Sequence, residues 1–182
     1  MSIAKELCIK RQEIFQGKIL HVTVDTVHME GVTQPAVREA VWHGGAACVL
    51  PVTADGKLIM ARQFRYAAGK ALLEFPAGKL DHPGELPAEC AFRELAEEGG
   101  VKAGELIDLG YIYTSPGFCN EILYLFLGRK LTPTSQHLDA DEFLNIEQYT
   151  PPEVAQLIAT GEIVDAKTIA IFAKAGSYLQ GV

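Results

Sequence analysis

The chain has 182 residues, 48% hydrophobic and 21% charged, with a formal net charge of −7. That is enough apolar sequence for one sizeable core, and the negative balance argues against a nucleic-acid partner. No apolar run approaches the ~20 residues of a membrane-spanning helix, MSIAKELCIKRQEIF lacks a secretory apolar stretch, and Cys8, Cys48, Cys90 and Cys119 are too scattered for zinc or a disulfide framework. The cytoplasm is the expected compartment.

In chain order, residues 18–29 (KILHVTVDTVHM) are rich in β-branched side chains and read as a strand. A turn follows at MEGVTQP, then a second strand over 36–43 (AVREAVWH). Residues 46–52 are nearly all apolar and read as a strand buried on both faces. Ala54-Asp55-Gly56 supplies a hairpin turn into 57–65. The first seventy residues are therefore mostly β, with a small N-terminal region, 1–43, ahead of a core domain, 44–182. Arg38-Glu39, Arg62-Gln63 and Arg65 lie on these strands. An arginine there either points to solvent or grips an anion, which a guanidinium does bidentately.

Residues 74–101 read EFPAGKLDHPGELPAECAFRELAEEGGV. A helix from about Pro87 to Glu98, at ~100° per residue, puts Ala88, Ala91, Phe92 and Leu95 on a buried arc. Glu94, Glu97 and Glu98 form another arc with Arg93 at its edge, and Glu98 reads as an exposed helix acid. Carboxylates at i, i+3 and i+4 repel one another unless compensated. A hard divalent cation such as Mg²⁺ would compensate them; a merely solvated acidic face is the alternative. Glu85 projects away from that arc, in a structural or outer role.

Beyond the helix, 105–113 (ELIDLGYIY) and 121–127 (EILYLFL) read as strands around Ser115-Pro116-Gly117, which by itself is a turn. Residues 134–142 (TSQHLDADE) form a polar loop before a strand at 143–149. Pro151-Pro152 opens a helix that Gly161 ends, and Asp165 caps the last one. His82 and His137 read as exposed loop residues.

From Gly78, the pattern G-x6-E-x7-R-E-L-A-E-E-G-G-V resembles the signature box of the Nudix hydrolases, with one extra residue in LDHPG and Gly99 where Thr is common. RQFRYAAGKALLEFPAGKLD, VREAVWHGGAACVLP and SPGFCNEILYLFL resemble the ADP-ribose pyrophosphatase branch, and the likeness runs over nearly the whole chain. It implies an α+β fold, an α/β/α sandwich with a mixed sheet between helices, plus an N-terminal antiparallel β region that forms dimers. It implies Mg²⁺, replaceable by Mn²⁺, held by Glu94, Glu98 and the carbonyl of Ala77, with Glu97 in support and Arg93 orienting it. The attacking water would be handled by Glu97 or by one of Asp139, Asp141 and Glu142. Arg38, Glu39, Arg65, Pro116 and Glu121 would contact substrate, and Phe15 would either stack on its base, in a homodimer from the partner chain, or belong to the core. The implied reaction is hydrolysis of ADP-ribose to AMP and ribose 5-phosphate. The alternatives are another nucleoside diphosphate sugar, or a catalytically weak nucleotide sensor.

Overall fold

The N-terminal sequence builds a three-stranded antiparallel sheet: β1 (Glu6–Gln16), β2 (His21–Met29) and β3 (Ala36–Trp42), with β2 in the centre. The computed structural model describes residues 3–138 and 142–180. This sheet falls in the first of two units, Met1–Gly44 with Tyr113–Ile122; the second is Gly45–Ile112 with Leu123–Val182. The strand expected over 18–29 begins only at His21, and β1 is a separate strand that the sequence pattern did not mark. All 11 residues of β1 are exposed, so burial imposes no alternation on them and pairing alone makes the strand. Its register breaks twice, at Cys8/Lys10 and Glu13/Phe15, as bulges do.

The buried positions of β2 are partly polar. Thr23 Oγ1 accepts from Trp42 Nε1 at 2.9 Å. Asp25 accepts two donors of Arg11, at 3.1 and 2.7 Å, and Arg11 lies 4.3 Å over the Trp42 ring. Each buried polar group thus has a partner, as low dielectric requires.

In the second unit β4 (Ala46–Pro51), β5 (Leu58–Arg65), β6 (Lys70–Glu74), β7 (Ala77–Lys79) and helix α1 (Pro87–Glu97) follow in order. Next come β8 (Val101–Lys102), β9 (Glu105–Tyr113), β10 (Ile122–Arg129), β11 (Thr132–Pro133), β12 (Leu144–Tyr149), α2 (Pro151–Thr160) and α3 (Ala166–Ala175). One sheet, β7-β4-β10-β9, is mixed, because β10 runs parallel to β4 while β7 runs against it. A second, β12-β5-β6, is antiparallel. Every residue of β4 is buried, as its unbroken apolar run predicts. Ala47 and Val49 pack with Cys90, Ala91 and Leu95 of α1. Cys48 and Leu50 belong to the other cluster, with Leu58, Met60 and Ile171 of α3. Each such large side chain contributes about 2 kcal/mol by leaving water. The fold is the expected α+β arrangement. Among the described residues no helix is long and apolar enough to cross a membrane.

Two expectations about α1 are corrected. Phe92 is exposed, and Cys90 is buried instead. Glu98 is only 6% exposed, not a solvated acid. Seven residues at ~100° bring Glu98 within about 20° of Ala91, so it shares the face that packs on β4 and β7. Phe92 lies about 100° to the other side.

Candidate active site

The site in the second unit grows from the start and end of α1. Pro87 takes the first helical position, and the Glu89 carboxylate accepts from the Leu86 N–H at 2.9 Å. The extra residue falls in the turn before it, where Glu85 N–H donates to the His82 carbonyl at 3.1 Å. It does not displace Glu85, which accepts from Arg93 Nε at 2.8 Å and Nη2 at 3.1 Å. The helix ends at Gly99-Gly100: a Cβ on Gly99 would lie 2.6 Å from the Leu95 carbonyl oxygen, and Gly100 has φ +63°.

Arg93, at the edge of the acidic arc, is the side-chain cation that compensates part of it. Besides Glu85 it reaches Glu94 at 2.6 Å and Glu97 at 3.1 Å. Glu98 is different: among the described residues no basic side chain pairs with it. It accepts the Ala77 N–H at 3.0 Å. Burial, then the charge of Glu94, pushes its carboxyl up to about 8, and Glu142 adds to this by hydrogen bonding. Burial also raises Glu94, against the pull of Arg93, with Glu97 and Glu142 contributing.

Gly78 makes the close approach possible. A Cβ there would lie 1.8 Å from Glu94 Oε1, so the carboxylate rests directly on the backbone beside Ala77. A buried carboxylate with no basic partner among the described residues, Glu98, beside the half-buried, Arg93-paired Glu94, fits a cation. The donors are all oxygen, which suits Mg²⁺. Among the described residues no three side chains converge as a complete metal cage.

The polar loop is stapled to the end of α1. Thr134 N–H donates to Gly100 at 2.9 Å and His137 N–H to Glu97 at 3.1 Å. Glu142 lies against Glu98 and accepts from Gln63 Nε2 at 3.1 Å. Asp139 and Asp141 lie outside the described residues. His82 and His137 are exposed.

Arg65, at the end of β5, donates through Nε and Nη2 to both oxygens of Glu74, at 2.9 and 2.7 Å. The guanidinium is raised chiefly by this pair, with Glu98 among the charges acting on it. Glu74 and Lys167 were not singled out in the sequence; Glu74 stands directly before F-P-A-G-K, which is the signal that could have found it.

In the first unit, Arg38, Glu39 and Pro116 line one groove of about 400 Å³ with Trp42, Phe118 and Asn120. Ser115–Phe118 forms the expected turn, and the segment pairs with β3: Val41 N–H donates to the Phe118 carbonyl at 2.7 Å, and His43 N–H to Asn120 Oδ1 at 2.7 Å. Glu121 accepts from Thr114 Oγ1 at 2.7 Å and lies 3.4 Å from His43 Nδ1. Arg38 is bonded to Glu6 of β1. Phe15 is 58% exposed on β1, its ring over Gly17.

Comparison with known proteins adds four findings. A family model described as NUDIX domain matches residues 42–172. The chain is 40% identical to an ADP-ribose pyrophosphatase of Bacillus subtilis (strain 168), covering 99% of this chain and 95% of the relative. It is 37% identical to a methanol dehydrogenase activator of Bacillus methanolicus, over 91% and 89% of the two chains. A solved structure described as an ADP compounds hydrolase superposes with a TM-score of 0.86 at 22% identity, covering 100% of this chain and 97% of that one. At that identity the match bears on fold alone.

Proposed function

The chain belongs to the NUDIX family, and from that membership we propose that it hydrolyses the pyrophosphate bond of ADP-ribose to AMP and ribose 5-phosphate, using Mg²⁺ or Mn²⁺. The observation that carries the chemistry is Glu98, buried with no basic side chain paired to it among the described residues, beside the Arg93-paired Glu94 at the Ala77–Gly78 backbone. The substrate class rests on the likeness to the Bacillus subtilis pyrophosphatase over 99% of the chain.

Glu94, Glu98 and the Ala77 carbonyl are the groups that would hold the cation. When bound, it supplies neutralisation of the diphosphate charge and activation of water. The protein's own groups do the rest. Arg93 keeps Glu85, Glu94 and Glu97 in place. Glu142, in hydrogen-bond contact with Glu98, is favoured over Glu97 as the carboxylate that orients the attacking water and takes its proton; Asp139 and Asp141 stay candidates. Arg65 grips phosphate, and Arg38, Glu39, Pro116 and Glu121 recognise the rest of the nucleotide.

The division into residues 1–43 and 44–182 is kept as the functional one. Homodimerisation is proposed for β1, which exposes Leu7, Ile9, Ile14 and Phe15 among the described residues. A cytoplasmic setting accords with four free cysteines.

The test is a product assay over ADP-ribose, other nucleoside diphosphate sugars, diadenosine polyphosphates and nucleoside triphosphates, with Mg²⁺ and then with chelator. AMP and ribose 5-phosphate from ADP-ribose, with the highest kcat/KM of the panel, are expected. Preference for a triphosphate, or turnover in excess chelator, refutes the proposal.

A further inference from the structure

Behind Arg65 lies a line of alternating charges that the proposed chemistry does not use. Glu74 is 2% exposed, yet it carries two cations. One is Arg65. The other is Lys167, whose ammonium contacts Glu74 and lies 3.1 Å from Asp165. Asp165 in turn caps α3, accepting from the Thr168 N–H at 2.9 Å and the Thr168 hydroxyl at 2.6 Å. Thr168 Oγ1 accepts the Phe75 N–H at 3.1 Å. The first turn of α3 therefore holds Glu74 by charge and Phe75 by hydrogen bond. Two residues further on, Ala77 donates to Glu98.

Stability alone is a poor reason for such a line. Well-packed apolar side chains of similar volume do as well or better than a buried ion network. What the charges provide is direction. Nε and Nη2 of Arg65 are both turned inward onto Glu74, while the side chain as a whole stays 40% exposed. Among the described residues Nη1 has no partner, so the outer edge of a rigidly held guanidinium is offered to an anion. A guanidinium fixed in advance loses less freedom when it closes on phosphate.

We propose that Lys167 and Asp165, in the first turn of α3, are positioning residues that act through buried Glu74 to aim Arg65 at the substrate's diphosphate. The C-terminal helix thereby sets the strength of the phosphate grip. This rests on the assignment of Arg65 to substrate binding, and the test separates the two.

KM and kcat for ADP-ribose are measured, with Mg²⁺, for the parent, Lys167→Met, Arg65→Met and the double variant. Lys167→Met is expected to raise KM about tenfold, the size of one weakened charge-assisted hydrogen bond, with kcat within about twofold. In the Arg65→Met background the same change should leave KM where Arg65→Met alone puts it. Equal fold-losses from Lys167→Met in both backgrounds overturn the positioning role while leaving Arg65 as a substrate contact. Arg65→Met with unchanged KM overturns both. Should Lys167→Met fail to fold, Asp165→Asn takes its place in the same cycle, because asparagine caps a helix as well as aspartate while removing the carboxylate charge that holds Lys167.

Discussion

Glu98→Gln should make the metal-free protein less sensitive to alkali, while abolishing most of its turnover. In the parent the Glu98 carboxyl stands at about 8, raised from 4.5 by burial first and Glu94 second. A group raised in the folded state stabilises fully below its unfolded value, and that contribution is lost as pH rises through the folded one. The window is therefore pH 4.5 to about 8. At about 1.4 kcal/mol per pH unit, the full displacement is worth about 5 kcal/mol. An effective dielectric near 20 even for buried sites reduces this to a few kcal/mol. For a chain of this length that is roughly 5–10 °C in Tm. Glutamine keeps the oxygen that accepts the Ala77 N–H and carries no charge. Melting curves from pH 5 to pH 9 in chelator, for parent and Glu98→Gln, should diverge by that amount at the alkaline end. A divalent cation at high pH should then restore the parent and leave the variant unmoved. Parallel curves, or equal rescue of both, would show that Glu98 is neither buried as a charge nor a ligand.

Gly78→Ala places a methyl carbon where Glu94 Oε1 now lies, at 1.8 Å; the flexible carboxylate swings away, so Tm should hold while Mg²⁺ affinity falls about 10–100-fold, as when a ligand's support is lost. A calorimetric titration matching the parent would refute it. Leu95→Ala empties a fully buried position between Ala47 and Val49 and should lower stability by about 3 kcal/mol, read in urea; a loss under about 1 kcal/mol would mean that α1 settles into the gap. Light scattering at micromolar concentration should give twice the chain's 19.8 kDa. Deleting 1–30 should remove both dimer and activity, and a truncated chain that stays dimeric and active removes β1 from both roles.

Much of this molecule is written locally. The unbroken apolar run of β4, the Pro-opened helices α1 and α2, the Gly161 stop and the Asp165 cap each follow from a few neighbouring residues, because backbone geometry and hydrogen-bond satisfaction act over short spans. The carboxylates at Glu94, Glu97 and Glu98, with Arg93 beside them, follow from helical spacing in the same way. Other features depend on what meets across the fold. Periodicity ranks the faces of α1 by side-chain type and so put Glu98 in water with Phe92 inside. Packing on β4 and β7 reversed the two, since the buried face is chosen by the surface it docks on. β1 escaped notice because its partner strand defines it and burial does not. The line from Arg65 through Glu74 to Lys167 and Asp165 joins β5 and β6 to α3, far apart in the chain, and nothing in either segment announces the other. Sequence decides which groups can carry charge or cap a helix; only the tertiary structure decides which charges find a partner, and it pairs Glu94 with Arg93 while burying Glu98 with no basic partner among the described residues.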